Sequence, residues 1–233
     1  MAGNHLVVLQ PCRDQVRIAA HTSCVGALMR AERFWTETFG PKKFGLLSMG
    51  GVQAAEARTE LWKKSVEIDA DWILWIDDDV EPPLSTLEDL YKATPMGDIV
   101  TGFYWRKMAP YLSVVGRFNV DSSVTWLDPD DMALPYEEVH AIGFGCVLMR
   151  RKVIDHVALE CNSLPFLTKP GQTEDVYFGN AARRMGYKII AVRDLHCRHV
   201  GDYSFSYADR KAWLAANPAK KTPAEEKIEG NVG

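Results

Sequence analysis

Three consecutive carboxylates, Asp77, Asp78 and Asp79, follow directly on the apolar run Trp72-Ile73-Leu74-Trp75-Ile76. Like charges held together at the end of a buried strand repel one another, and a fold that keeps them offsets the cost with a cation or with hydrogen-bond donors. Strand side chains alternate, so Asp77 and Asp79 are expected on one side and Asp78 on the other. Two carboxylates on one side can share a divalent ion and whatever that ion binds; the competing reading is a solvated acidic loop. A second acidic pair, Glu174 and Asp175, follows Thr173 in what reads as the first turn of a helix, where backbone N–H groups and the helix dipole favour the ionised form. A carboxylate there can take the proton of an attacking hydroxyl, or can be no more than an ordinary acidic helix start. The late segment His196-Cys197-Arg198-His199-Val200-Gly201 offers His199 as an imidazole that can complete a carboxylate-rich site. Oxygen ligands with one imidazole suit manganese or magnesium better than structural zinc, for which no further cysteine stands at ligand spacing.

The elements that must position these groups read as alternating strands and helices. Short apolar runs at 6–10, 44–49, 72–76, 98–102 and 188–192 are expected strands, and the run at 72–76, apolar at every position, suits a central strand covered on both faces. A helix is expected over 52–68, with Val52, Ala55, Thr59, Trp62 and Val66 on its buried face and Arg58 pointing elsewhere. Ser85 and Glu88 have the spacing of a capping box, and Thr173 is an expected N-cap for a helix running to about 185. Residues 103–138 carry little pattern. Gly143 and Gly145 interrupt an apolar stretch, where absent side chains let a ligand or another backbone come close. The sum predicts an α/β three-layer sandwich with a mainly parallel central sheet, whose ligands bind beyond the carboxyl ends of the strands.

With 233 residues, 47% of them hydrophobic, the chain can bury a sizeable core. We expect a single domain over 1–216 and, where Lys, Pro, Glu and Gly displace apolar residues, a flexible tail over 217–233. A net charge of −4 gives no global pull toward nucleic acid or anionic membrane. Five widely spaced cysteines without a Cys-x-x-Cys pair fit a reducing compartment, and no apolar stretch approaches the roughly 18–20 residues of a membrane span, so a cytoplasmic protein is expected.

Taken in order, Trp75-Ile76-Asp77-Asp78-Asp79-Val80, Ala141-Ile142-Gly143-Phe144-Gly145-Cys146-Val147-Leu148-Met149-Arg150-Arg151, Thr173-Glu174-Asp175 and His199-Val200-Gly201 resemble the motifs of GT-A glycosyltransferases of the family-2-like type, over about residues 5–205. The resemblance implies the GT-A (Rossmann-like) fold and an inverting transfer from a nucleotide-diphosphate sugar, UDP- or GDP-linked, to an acceptor hydroxyl. It implies Asp79 and His199 as ligands of Mn2+ or Mg2+, and Pro11, Asp14, Arg58, Asp77 and Asp78, with Gly143 and Gly145, around the nucleotide sugar. Asp175 would be the general base and Glu174 would orient the acceptor. Trp105, Trp126 and Phe166 are candidates for stacking on the acceptor, a saccharide first and a hydroxylated DNA base second, the latter suggested by Arg150, Arg151, Lys152, Arg183 and Arg184. The likeness extends to compact phage and bacterial enzymes. Two rival readings are a sugar-nucleotide pyrophosphorylase, disfavoured because Leu9-Gln10-Pro11-Cys12-Arg13 has no glycine, and a non-catalytic nucleotide- or carbohydrate-binding module.

Overall fold

The computed structural model describes residues 4–12, 18–40, 44–121, 123–218 and 225–227. Asp14, expected near the nucleotide, lies outside them. In chain order the elements begin β1 (Leu6–Pro11), α1 (Ile18–Phe39), β2 (Phe44–Met49), α2 (Ala54–Glu67), β3 (Trp72–Ile76), β4 (Val80–Glu81), α3 (Thr86–Ala93) and β5 (Ile99–Phe103). They continue with β6 (Gly116–Phe118), β7 (Ser123–Trp126), β8 (Tyr136–Val139), β9 (Cys146–Arg150), α4 (Arg151–Glu160) and α5 (Glu174–Arg184). The last are β10 (Ile189–His196), β11 (Arg198–Val200), β12 (Ser204–Phe205), α6 (Tyr207–Ala216) and β13 (Glu225–Lys227).

Seven strands form the central sheet in the order β2-β1-β3-β9-β5-β10-β8. Strands β2, β1, β3, β5 and β10 run one way, with β9 and β8 against them. Alternation along each buried strand sorts its residues into two cores. Val7, Leu9, Ile73, Trp75, Val147 and Met149 pack with Leu61 of α2, Val153 and Val157 of α4 and Phe178 of α5. Leu6, Val8, Trp72, Leu74, Cys146 and Leu148 pack with Ala31 and Trp35 of α1 and Leu87 and Leu90 of α3. The result is the expected three-layer α/β sandwich with a mainly parallel sheet. Among the described residues, no helix is long and apolar enough to cross a membrane.

Two local expectations fail for physical reasons. Helix α2 buries Ala57, Arg58, Thr59, Leu61 and Ser65, leaving Val52 and Val66 exposed; a charged residue occupies the inner face because carboxylates neutralise it there. Ser85 and Thr173 stand at the N-cap positions of α3 and α5, the latter ending at Arg184 as expected, but the Ser85–Glu88 capping box does not form, and the Thr173 hydroxyl turns to the Asp175 carboxylate. Within the segment expected to be a flexible tail, β13 pairs antiparallel with β7.

Candidate active site

The backbone leaves the sheet at the end of β3, and the Val80 amide closes a turn on the Asp77 carbonyl at 3.2 Å. Strand alternation therefore stops at Ile76, and Asp77, Asp78 and Asp79 all line one cavity of about 480 Å³. Asp78 does not face away as the alternation predicted. Beyond β10 the chain turns outward, and β11 pairs with β4, setting His199 opposite Val80, while the Val200 amide donates to the Asp79 carbonyl at 2.7 Å. This pairing brings a histidine from the end of the chain beside an aspartate from its first half. The N-terminus of α5 supplies Glu174 and Asp175 to the same cavity, and Pro11, Arg58 and Tyr104 also line it.

Arg58 is buried and joins two carboxylates. Its Nη2 donates to both oxygens of Asp77 at 2.9 and 3.2 Å and its Nε to Glu174 Oε1 at 3.3 Å, with the guanidinium against Trp75 and Phe144. Among the described residues its buried Nη1 has no hydrogen-bond partner, a donor for which a ligand oxygen would compensate. Burial pushes the Asp77 carboxyl up despite Arg58.

His199 Nδ1 lies 2.7 Å from the Trp105 carbonyl, an acceptor only, so Nδ1 carries the proton. In the neutral imidazole Nε2 is then a lone pair, and it faces Asp79 Oδ1 at 3.4 Å. Two acceptors facing one another call for a cation or a proton between them. Lys107 Nζ, 2.6 Å from Asp79 Oδ2, supplies positive charge there. Burial opposes ionisation of Asp79, but hydrogen bonds and charge from His199, with a proton on Nε2 as well as on Nδ1, and from Lys107 hold it well below the usual carboxylate range. Among the described residues no group of three or more His, Cys, Asp or Glu side chains is gathered for a metal. The pair Asp79 and His199 nonetheless fits Mg2+ or Mn2+, which keep positions for water and substrate phosphate oxygens when bound by few protein ligands. His196 is not part of this pair: its Nε2 meets the Arg193 carbonyl at 2.8 Å and its ring packs on Trp105 and Tyr207.

Asp175 Oδ1 accepts hydrogen bonds from the Thr173 hydroxyl and, at 2.8 Å, from the Val176 amide. Burial, then the charge of Glu174, pushes its carboxyl up to about 6. Tyr104, which carried no sequence signal, stands edge-on to His199 and accepts from the Gly145 amide at 3.2 Å; burial and then the charges of Asp77 and Asp175 push its hydroxyl up.

The two glycines serve Tyr104. A Cβ on Gly143 would lie 2.1 Å from the Tyr104 hydroxyl oxygen, and one on Gly145 would lie 2.9 Å from its Cζ. The space expected to admit a sugar is filled from within, although Gly143 backbone does line a neighbouring cavity. Gly143→Ala is expected to destabilise the fold by about 1–3 kcal/mol in chemical denaturation, with part of that loss recovered in a Tyr104→Phe background. Trp105 at 0% exposure and Phe166 at 2% belong to the core, stacked on Tyr207 and Phe178. Neither presents a face to a ligand, which corrects their expected role in acceptor stacking. Trp126 does line a cavity. Glu174 lines the cavity with Oε1 paired to Arg58 Nε.

No protein-family model matches the chain, and no curated protein matches it in sequence. Among solved structures, the crystal structure of A197 from STIV superposes with a TM-score of 0.54 over 98% of each chain at 18% identity. The crystal structure of GalNAc-T7 with UDP, GalNAc and Mn2+ superposes with a TM-score of 0.56 at 10% identity, over 91% of this chain and 47% of that one. At such identities the likeness concerns the fold, which is the GT-A type of α/β sandwich.

Proposed function

We infer that this chain is an inverting glycosyltransferase that moves a sugar from a nucleotide diphosphate to an acceptor hydroxyl. One observation carries the reading: the aspartates after β3, the acidic start of α5 and His199 from β11 line one cavity. The GT-A fold shared with a structure holding UDP and Mn2+ supports it.

Asp79 and His199 would hold Mn2+ or Mg2+, which when bound supplies positive charge to the departing diphosphate. Asp77 and Asp78, with Pro11 and Arg58, would surround the nucleotide. Arg58 holds Asp77 and Glu174 in place, and its buried Nη1 offers a further donor. Asp175 takes the proton of the acceptor hydroxyl as that oxygen attacks the anomeric carbon. The bond from that carbon to the diphosphate breaks as the new one forms, and the electron pair leaves with the diphosphate. Attack opposite the leaving group inverts the anomeric centre. The domain proper is read as 1–216, working in the cytoplasm.

The test is thermal melting with UDP or GDP, each with and without Mn2+. A metal-dependent rise with one nucleotide supports the reading, and no rise with either overturns it. Lys107 provides a related measurement, because its ammonium on Asp79 Oδ2 competes by charge with any cation that Asp79 and His199 would hold. Lys107→Met is expected to tighten Mn2+ binding about tenfold in calorimetry without nucleotide, through loss of a competing charge.

A further inference from the structure

Tyr104 is only 5% exposed, yet it lines the cavity that holds the aspartates, and the transfer gives it no task. It follows directly on β5, and its neighbours define where its hydroxyl stands. The Gly145 amide donates to that oxygen at 3.2 Å. Gly143 leaves room for it, since a Cβ there would lie 2.1 Å away. It is also near enough to Asp77 and Asp175 for both charges to act on it.

A phenol hydroxyl accepts and donates, and a buried tyrosine ordinarily finds partners for both. Among the described residues, the Tyr104 hydroxyl accepts from Gly145 and donates to none. Its two acidic neighbours have other donors: both Asp77 oxygens face Arg58 Nη2, and Asp175 Oδ1 accepts from Thr173 and Val176. Burial, then the charges of Asp77 and Asp175, push the hydroxyl up, so it keeps its proton and is a donor rather than a base.

The place of this donor indicates what it meets. In a displacement with inversion the attacking oxygen, the anomeric carbon and the departing oxygen stand in a row. Asp175 belongs to the first end of that row, and Asp79 with His199 to the last. The Tyr104 ring stands edge-on to His199, centroids 5.2 Å apart, while its hydroxyl lies toward Asp175, so Tyr104 spans the interval that the sugar occupies. A second cavity, of about 620 Å³, adjoins there: it shares Val114, Thr173 and Asp175 with the first and has Gly143 in its wall. The hydroxyl therefore stands where the two cavities meet, which a sugar handed from one to the other must pass.

We propose that the Tyr104 hydroxyl donates a hydrogen bond to a hydroxyl of the transferred sugar, holding it between the departing diphosphate and Asp175. The proposal rests on the glycosyltransferase reading and adds to it a residue that selects the sugar rather than the nucleotide. A sugar hydroxyl is a better acceptor than the ring oxygen, which loses electron density as the bond to the diphosphate breaks. A donor already fixed by its neighbours costs little further ordering when the sugar binds. A sugar with no oxygen at that point would leave the O–H buried and unpaired, and such a site discriminates for that reason. Gly143 and Gly145 then serve the sugar indirectly, by making room for the ring that meets it.

The experiment is calorimetric titration, with Mn2+ present, of the wild-type chain and of Tyr104→Phe. The ligands are UDP-glucose, UDP-N-acetylglucosamine and GDP-mannose, each compared with bare UDP or GDP. Phenylalanine keeps the ring and its packing and removes one O–H. At least one nucleotide sugar is expected to bind the wild type about tenfold more tightly than its bare nucleotide, an increment on the scale of a buried hydrogen bond. Tyr104→Phe is expected to lose that increment while binding the bare nucleotide as before. Three results would overturn the proposal: no sugar that adds to its nucleotide, an increment that survives in Tyr104→Phe, or equal weakening of sugar and bare nucleotide, the mark of a purely structural role. A wild type that binds neither bare nucleotide removes the glycosyltransferase reading itself, an outcome distinct from the failure of Tyr104 alone.

Discussion

With Asp175 replaced by asparagine, sugar transfer is expected to fall about a thousandfold, in the range lost with a general base, while the protein melts at a higher temperature at pH 7. The two effects share one cause. Burial and the neighbouring Glu174 push the Asp175 carboxyl up to about 6, so the ionised form needed to accept a proton is the form the folded protein disfavours. A carboxyl raised from its ordinary value near 4 contributes stability that is fully present below that value and is lost as pH rises through about 6. Above that window the wild type carries a cost, of about 1–3 kcal/mol, that asparagine lacks. Its amide oxygen can still accept from the Thr173 hydroxyl and the Val176 amide, the partners Oδ1 has now. Melting of the two proteins from pH 4 to pH 8 should show no difference at the acid end and a growing advantage for the variant up to about pH 7. The wild-type rate at limiting substrate should rise through about pH 6 over the same interval. A variant that melts lower at pH 7 and retains transfer would make Asp175 a structural helix-start residue.

How much of this site was readable in the chain depends on whether a residue's role is local. Strand β2, at the sheet edge and only partly buried, falls on its apolar run, and β3 falls where its run placed it because a fully buried strand needs an unbroken run and nothing else competes for it. The acidic triplet was legible for the same reason: charge at the end of such a run is costly enough to be informative. The face of α2 was misread because Arg58 reads as a surface residue until Asp77 and Glu174 arrive from elements 19 and 116 residues away. Lys107 and Tyr104 had no signal at all. They sit where the chain after β5 turns back, with the Val114 amide bonded to the Tyr104 carbonyl at 3.1 Å, and neither spacing nor periodicity marks that return. The glycines were noticed but their beneficiary was not, since the ring that fills the space beside Gly143 and Gly145 is about forty residues upstream. Trp105 and Phe166 show the converse limit, as an aromatic in a patternless stretch gives no indication whether it faces a ligand or a core.

Replacing Asp79 with alanine is expected to abolish the metal-dependent rise in melting temperature with UDP or GDP, and transfer with it. Asp79 is the point where two neighbours meet: the Lys107 ammonium on Oδ2 at 2.6 Å and the His199 imidazole at 3.4 Å from Oδ1. Without the carboxylate, His199 is the sole remaining member of the pair read as the metal site, and a single neutral imidazole holds Mg2+ or Mn2+ poorly against water. The loss should appear without ligand too. Asp79 is held well below the usual carboxylate range, so it contributes stability above its ordinary value near 4 that is lost on acidification. The alanine variant should therefore be less stable than wild type at pH 7 by about 2 kcal/mol, the scale of a lost charge-assisted hydrogen bond, with the gap closing toward pH 2. Asp79→Asn keeps the side-chain volume and separates charge from packing. It should lose the metal-dependent rise as completely as alanine while perturbing packing less. A full metal-dependent rise in either variant would remove Asp79 from the nucleotide site, and the reading of this cavity as a donor pocket with it.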